Sequence, residues 1–162
     1  MKLNRILVPL DGSALAEAAL GPAVELARPL GATLLLVRTA EAPVFSGTDL
    51  VEAQVDVVRE AEGYLARVAD RLGRDGLHAE PSVWYGPAAA GIVEAAHRRS
   101  ADLIVMSTHG RSGLDRLILG SVAESVLRGT VTPILLLRAP EAPLETVPGR
   151  GAARPAREKP HD

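Results

Sequence analysis

The chain has 162 residues, a formal net charge of −2, 47% hydrophobic residues, 2% aromatics and no cysteine. That length fits one domain of the usual ~100–200 residues. The core must come from Ala, Val, Leu and Ile, and disulfides and thiolate metal sites are excluded. The small charge gives no electrostatic reason to bind nucleic acid or an anionic membrane. No apolar run reaches the ~18 residues of a membrane span, and the start lacks a secretory signal, so a soluble cytoplasmic protein is expected.

Ile6-Leu-Val-Pro-Leu10 reads as a short buried strand closed by the turn Asp11-Gly12-Ser13. Ala14 to about Arg28 has helical spacing, with Leu15, Ala19, Ala23 and Leu26 on one face and Pro22 expected to kink it. Gly31 stops that helix, Thr33–Thr39 is a second apolar strand, and Glu41–Gly47 reads as loop. From Leu50 to Leu72, apolar residues at Val51, Val55, Val58, Leu65, Val68 and Leu72 describe a long amphipathic helix, ended by Gly73 and Gly76. His78–Tyr85 is a third strand, interrupted by Pro81, and Pro87–Arg99 a helix with Ile92, Val93 and Ala96 inward. A strand at Leu103–Met106, a helix from Ser121 to about Arg128 and a last strand, Ile134-Leu-Leu-Leu137, complete the pattern. From Ala139 to Asp162 the chain is rich in proline and poor in large apolar residues, so it is read as a disordered tail following a domain of residues 1–138.

Strands that are apolar throughout, alternating with helices, argue for an α/β fold with an open five-stranded parallel sheet covered by helices on both faces. Right-handed crossovers favour the order 3-2-1-4-5. The first and fourth strands then flank the point where winding reverses, which is where open α/β sheets bind ligands beyond their strand C-termini. Asp11 and Ser107 stand at those two ends.

The stretch Ser107-Thr-His-Gly-Arg-Ser-Gly-Leu-Asp-Arg-Leu-Ile-Leu-Gly-Ser121 carries the strongest chemical signal. It joins the fourth strand to a helix N-terminus, where unpaired N–H groups and the positive end of the helix dipole suit phosphate. Ser121 and Glu124 have the spacing of a capping box, which is also the plain structural reading of Ser121. Arg111 and Arg116 offer charge complementary to phosphate, although loop arginines are commonly just solvated. P-loop and dinucleotide glycine motifs are absent. His78, His97, His109 and His161 are dispersed without ligand spacing, and no catalytic constellation is visible.

Over residues 3–138 the chain resembles the universal stress protein family. The resemblance rests on Ile6-Leu-Val-Pro-Leu-Asp-Gly-Ser13, on the Gly86 turn, on Thr132-Pro-Ile-Leu-Leu-Leu137 and on Gly110, nine residues, then Gly120-Ser121. The family's nucleotide-binding pattern begins with a further glycine, and Ser107 takes its place here. The resemblance implies a Rossmann-like, adenine nucleotide alpha hydrolase-like fold that binds ATP, ADP or AMP, with Mg²⁺, as a stress sensor or regulator. In that binding mode Asp11 approaches the ribose or the Mg²⁺, and Thr39 meets adenine through its backbone. Met106 and Ser107 lie under the ribose and first phosphate, and Gly110, Gly120, Ser121 and Val122 surround the outer phosphates. Pro9, Leu10, Arg111 and Gly113 complete the set. A Cβ at Ser107, and the loss of glycine's freedom to adopt positive φ, are expected to weaken binding without abolishing it. Two other readings are a stress protein acting through protein partners without nucleotide, and slow ATP hydrolysis at Asp11, Ser121 and His109. The exposed edge of the last strand, and the same resemblance, imply a homodimer through Pro133–Arg138.

Overall fold

Strands that are apolar on both sides need a sheet covered twice, and the chain builds one. The computed structural model describes residues 2–41, 50–108 and 120–138. The strands β1 (Arg5–Pro9), β2 (Thr33–Ala40), β3 (Ala79–Tyr85), β4 (Leu103–Ser107) and β5 (Ile134–Leu137) pair in parallel in the order β3-β2-β1-β4-β5. Successive side chains point to opposite faces, so each strand feeds two cores. Ile6, Val8, Leu34, Leu36 and Val105 pack with Ala23 and Ala27 of helix α2 (Leu20–Leu30) and with Leu65, Val68 and Leu72 of α3 (Leu50–Arg74). Leu7, Leu35, Val37, Ile104 and Met106 pack with Ile92, Ala95 and Ala96 of α4 (Ala88–Arg98) and with Ala123 and Val126 of α5 (Ser121–Gly129). The sheet order and the double cover are those expected from the sequence.

The departures are local and have physical causes. The first helix is two: α1 (Ala14–Glu17) ends at Ala18, and α2 starts at Leu20. The break therefore precedes Pro22, which sits in the first turn of α2, where a missing N–H breaks no ladder bond. The helix then runs on through Pro29 to Gly31, whose φ of 62° closes it in the left-handed conformation. From α1 through α2 the buried residues are Ala16, Ala19, Leu20, Ala23 and Ala27, while Leu15 and Leu26 are half-buried, so the packed face is rotated from the one expected. In α4 the inward residues are Gly91, Ile92, Ala95 and Ala96, and Val93 is half-buried. Val51 and Val55, expected to face inward, are 69% and 47% exposed, because α3 packs on the sheet only from about Ala61 onward. Pro81 is accommodated because β3 is an edge strand.

At the opposite end of the sheet from the strand C-termini, Asp102 staples β1. Its Oδ2 accepts the backbone N–H groups of Asn4 and Arg5 at 2.8 and 2.9 Å. The expected loop at Glu41–Gly47 falls, after Glu41, outside the described residues, as does the tail from Ala139 to Asp162. Among the described residues no helix is long and apolar enough to cross a membrane.

Candidate functional site

β1 and β4 are neighbours whose connections leave on opposite faces, β1 into α1 and α2, β4 into α5. Their C-terminal ends splay the chain apart and open a cleft. On the β1 side the turn Asp11-Gly12-Ser13 bends through Gly12 at φ 83°, a conformation that favours glycine. Asp11 Oδ1 accepts the Ser13 N–H at 2.8 Å, and Ser13 Oγ accepts the Ala16 N–H at 3.1 Å, which caps α1. The turn-forming role of Asp11 is thus present, and its second carboxylate oxygen has no hydrogen bond among the described residues.

On the β4 side, the Gly120 N–H donates to the Thr108 carbonyl at 2.8 Å, and the Thr108 N–H donates to Leu137 at 2.9 Å. The two ends of the connecting segment are therefore tied together against the sheet. Gly120 is the N-cap of α5, with no side-chain cap, and Ser121 is the first helical residue. The expected capping box is corrected accordingly: the chain enters extended at Gly120, one residue before the serine. The first intrahelical bond runs from the Glu124 N–H to the Gly120 carbonyl. Helix geometry leaves the N–H groups of Ser121, Val122 and Ala123 without intrahelical acceptors. Gly120 itself is not a spare donor, since its N–H is engaged by Thr108.

The cleft between these elements has a volume of about 320 Å³, at the small end of the ~300–1,000 Å³ usual for small-molecule sites. Pro9, Leu10, Asp11, Thr39, Met106, Ser107, Gly120, Ser121 and Val122, all named from the sequence, line it together. Gly110, Arg111 and Gly113, with His109 and Arg116, lie outside the described residues. Ala16, Val37, Ala88, Ile92, Thr108 and Ala123 also line the cleft and were not anticipated. Helical spacing places Ala88 and Ile92 on one face of α4, and strand alternation places Val37 beside Thr39, so periodicity alone held that signal. The result is an apolar slot between β2 and α4 that opens toward a carboxylate on one side and a helix N-terminus on the other.

Ser107 belongs to β4, and the only non-glycine residue at positive φ among the described residues is Ser100. The expected backbone cost of replacing glycine is therefore absent. What remains is the extra bulk of its side chain beside the cleft.

A model of the universal stress protein family matches residues 2–138. The chain belongs to the universal stress protein family. Universal stress protein MJ0531 of Methanocaldococcus jannaschii is 30% identical over 143 residues, covering 85% of this chain and 84% of that protein. Among solved structures, the protein MJ0577 superposes with a TM-score of 0.77 at 23% identity, covering 86% of this chain and 98% of that one. A universal stress protein in complex with cAMP gives a TM-score of 0.66 at 24% identity over 85% of this chain and 98% of its own. An Arabidopsis thaliana family member with AMP bound gives 0.62 at 14% identity, over 83% of this chain and 91% of its own. At these identities the solved structures establish a shared fold. Universal stress proteins thus include members that carry adenine nucleotides, and this one has a cleft at the sheet's switch point.

Proposed function

We propose that this universal stress protein binds an adenine nucleotide in the cleft between β1 and β4 and acts in the cytoplasm as a stress-response sensor or regulator. The observation that carries the proposal is the convergence of an apolar slot, the Asp11 carboxylate and the N-terminus of α5 on one 320 Å³ cleft. Each part suits one part of the ligand. Val37, Ile92 and Met106 provide apolar walls for a purine, and Thr39 supplies main chain at its edge. Asp11 supplies an acceptor for ribose hydroxyls, and Ser121, Val122 and Ala123 supply N–H donors for phosphate at the positive end of a helix. Complexes of family relatives with cAMP and AMP support the adenine assignment.

Among the described residues Asp11 is the one carboxylate lining the cleft, and no cluster of three acids or histidines occurs. That donor set suits Mg²⁺ arriving with a polyphosphate, an ion that binds through one or two carboxylates plus substrate phosphates and water. It does not suit a resident metal. The binding unit in this reading is residues 1–138, with ATP, ADP and AMP all candidate ligands, and two copies pair through the open edge of β5.

Mass spectrometry of small molecules released from freshly purified protein tests the reading directly. Co-purified adenine nucleotide, or a rise in Tm with millimolar Mg-ATP or AMP, is the expected result. Protein that carries no nucleotide and shows no shift with either refutes it and favours action through protein partners.

A further inference from the structure

Arg38 is the one charged residue in the β2 run Thr33-Leu-Leu-Leu-Val-Arg-Thr-Ala40. Val37 and Thr39 line the cleft, so alternation sends Arg38 to the other face of the sheet. Its side chain is only 13% exposed, and two neighbours fix it. Nη1 and Nη2 grip the Glu60 carboxylate at 3.2 and 2.8 Å, and Cζ stands 5.1 Å from the centre of the Tyr64 ring. Tyr64 in turn donates to Glu17 of α1 at 2.8 Å, and Glu17 is bridged by Arg71 at 3.1 Å. The remaining side of the guanidinium faces Gly12. A Cβ built there would stand 3.6 Å from Nη1 and 3.9 Å from both Cζ and Nη2, ordinary contact distances, so the flat group faces that turn across a gap about one methyl group wide.

Glu60 is 60% exposed, so the ion pair by itself is weak support for stability. What the planar fork adds over Leu or Met is a fixed orientation. Here the orientation is set by Glu60 on α3 and Tyr64, and it is presented to the one turn that carries Asp11 to the cleft. Tyr64 feels both the positive charge of Arg38 and the negative charge of Asp11, which places all three in one electrostatic neighbourhood.

We propose that Arg38 is a positioning residue: fixed by Glu60 and Tyr64 about a methyl's width from Gly12, it limits how far the Asp11-Gly12-Ser13 turn can shift, so that Asp11 stays lining the cleft. The role of Arg38 in ligand affinity rests on the nucleotide reading above, whereas its hold on the turn does not.

The test compares wild type, Arg38→Met, Arg38→Lys, Asp11→Ala and the Arg38→Met/Asp11→Ala double variant. Amide exchange at Ser13 and AMP affinity by calorimetry are the two readouts. Arg38→Met should speed exchange at the Ser13 N–H, which Asp11 holds in wild type, while the central amides of β2 stay protected. It should also weaken AMP binding roughly tenfold, as for neighbours that share one network. In the Asp11→Ala background it should cost no further affinity, because Arg38 acts through that residue. Arg38→Lys keeps the charge but not the flat fork and should behave like Arg38→Met. Unchanged Ser13 exchange in Arg38→Met, additive losses in the double variant, or full rescue by lysine overturns the proposal. If Arg38→Met does not fold, Glu60→Gln loosens the fork without deleting it and carries the same readouts. Wild type that binds neither AMP nor Mg-ATP removes the nucleotide reading alone, and Ser13 exchange still decides the role of Arg38.

Discussion

Gly91 offers the sharpest test of how the cleft is built. It lies inside α4, and a Cβ added there would meet Thr39 Cγ2 at 2.6 Å and Trp84 Cβ at 3.4 Å. Carbon atoms pack best at ~3.5–4.0 Å, so Gly91→Ala must push α4 and β2 apart by about 1 Å at Thr39. Alanine in a helix is worth about 1 kcal/mol over glycine, while overpacking a close contact costs about 1–3 kcal/mol. The expected net effect is destabilisation by up to about 2 kcal/mol, or several degrees in Tm. The functional loss should exceed the stability loss, because Thr39, Ala88 and Ile92 line the cleft on either side of that contact. Thr39→Ser removes Cγ2, the atom in the way, and keeps the hydroxyl. In the Gly91→Ala background it should restore both Tm and nucleotide affinity, a coupling of opposite sign to the single changes. Thermal denaturation and AMP titration of the four proteins complete the cycle. A Gly91→Ala protein more stable than wild type, or strict additivity with Thr39→Ser, would refute the packing argument.

Three further outcomes follow from particular contacts. Asp102→Ala leaves the N–H groups of Asn4 and Arg5 without their carboxylate, and urea unfolding should show a loss of about 1–2 kcal/mol, limited because solvent reaches both donors. Tyr64 keeps its proton above the ordinary tyrosine value of 10.0, through burial first and its hydrogen bond to Glu17 second. A raised pKa gives stabilisation that is complete below the unfolded-state value and drains away as pH climbs through the folded one, so unfolding free energy should fall above about pH 10, less steeply in Tyr64→Phe. The carbonyls of Pro133 and Leu137 accept from Ile104 of β4 and from Thr108 just after it, so alternation turns the N–H of Leu136 outward to the edge of the sheet. Leu136→Pro removes that donor without cutting the sheet and should shift sedimentation from dimer to monomer, whereas a wild-type monomer at tens of micromolar would rule out edge pairing.

The order of the sheet was legible because it rests on long-range regularities. Apolar runs such as Leu34–Val37 and Leu103–Met106 are buried on both faces, and that demands helices on each side whatever their exact boundaries. Helix faces were harder to read. In α1 and α2 nearly every core residue is alanine, which carries little hydrophobic contrast, so the packed stripe at Ala16, Ala19, Ala23 and Ala27 could not be separated by periodicity from one containing Leu15 and Leu26. The same poverty of contrast hid the first turns of α3, where Val51 and Val55 keep the helical spacing yet stand in solvent.

The cleft shows a different boundary between pattern and structure. Its chemically marked members, Asp11, Ser107 and Ser121, could be named because turns and helix starts leave residue signatures. The wall residues Val37, Ala88 and Ile92 could not, because they depend on how closely α4 approaches β2. That distance is set by a residue with no side chain, Gly91, against a methyl group of Thr39. Hydrogen-bond allocation was equally hidden. Gly120 reads as a phosphate donor until its N–H is found on Thr108, which moves the donor set one residue along, to Ser121, Val122 and Ala123. If the cleft takes a nucleotide as proposed, phosphate affinity should depend on the order of α5's first turn more than on the identity of its side chains. Substituting Ser121 by Ala, which keeps the N–H, should accordingly leave AMP binding within a few-fold of wild type. Ser121→Pro is tolerated at a first helical position but deletes that donor, and calorimetry should show the larger loss there. Equal losses in the two variants would place the hydroxyl, and not the main chain, at the phosphate.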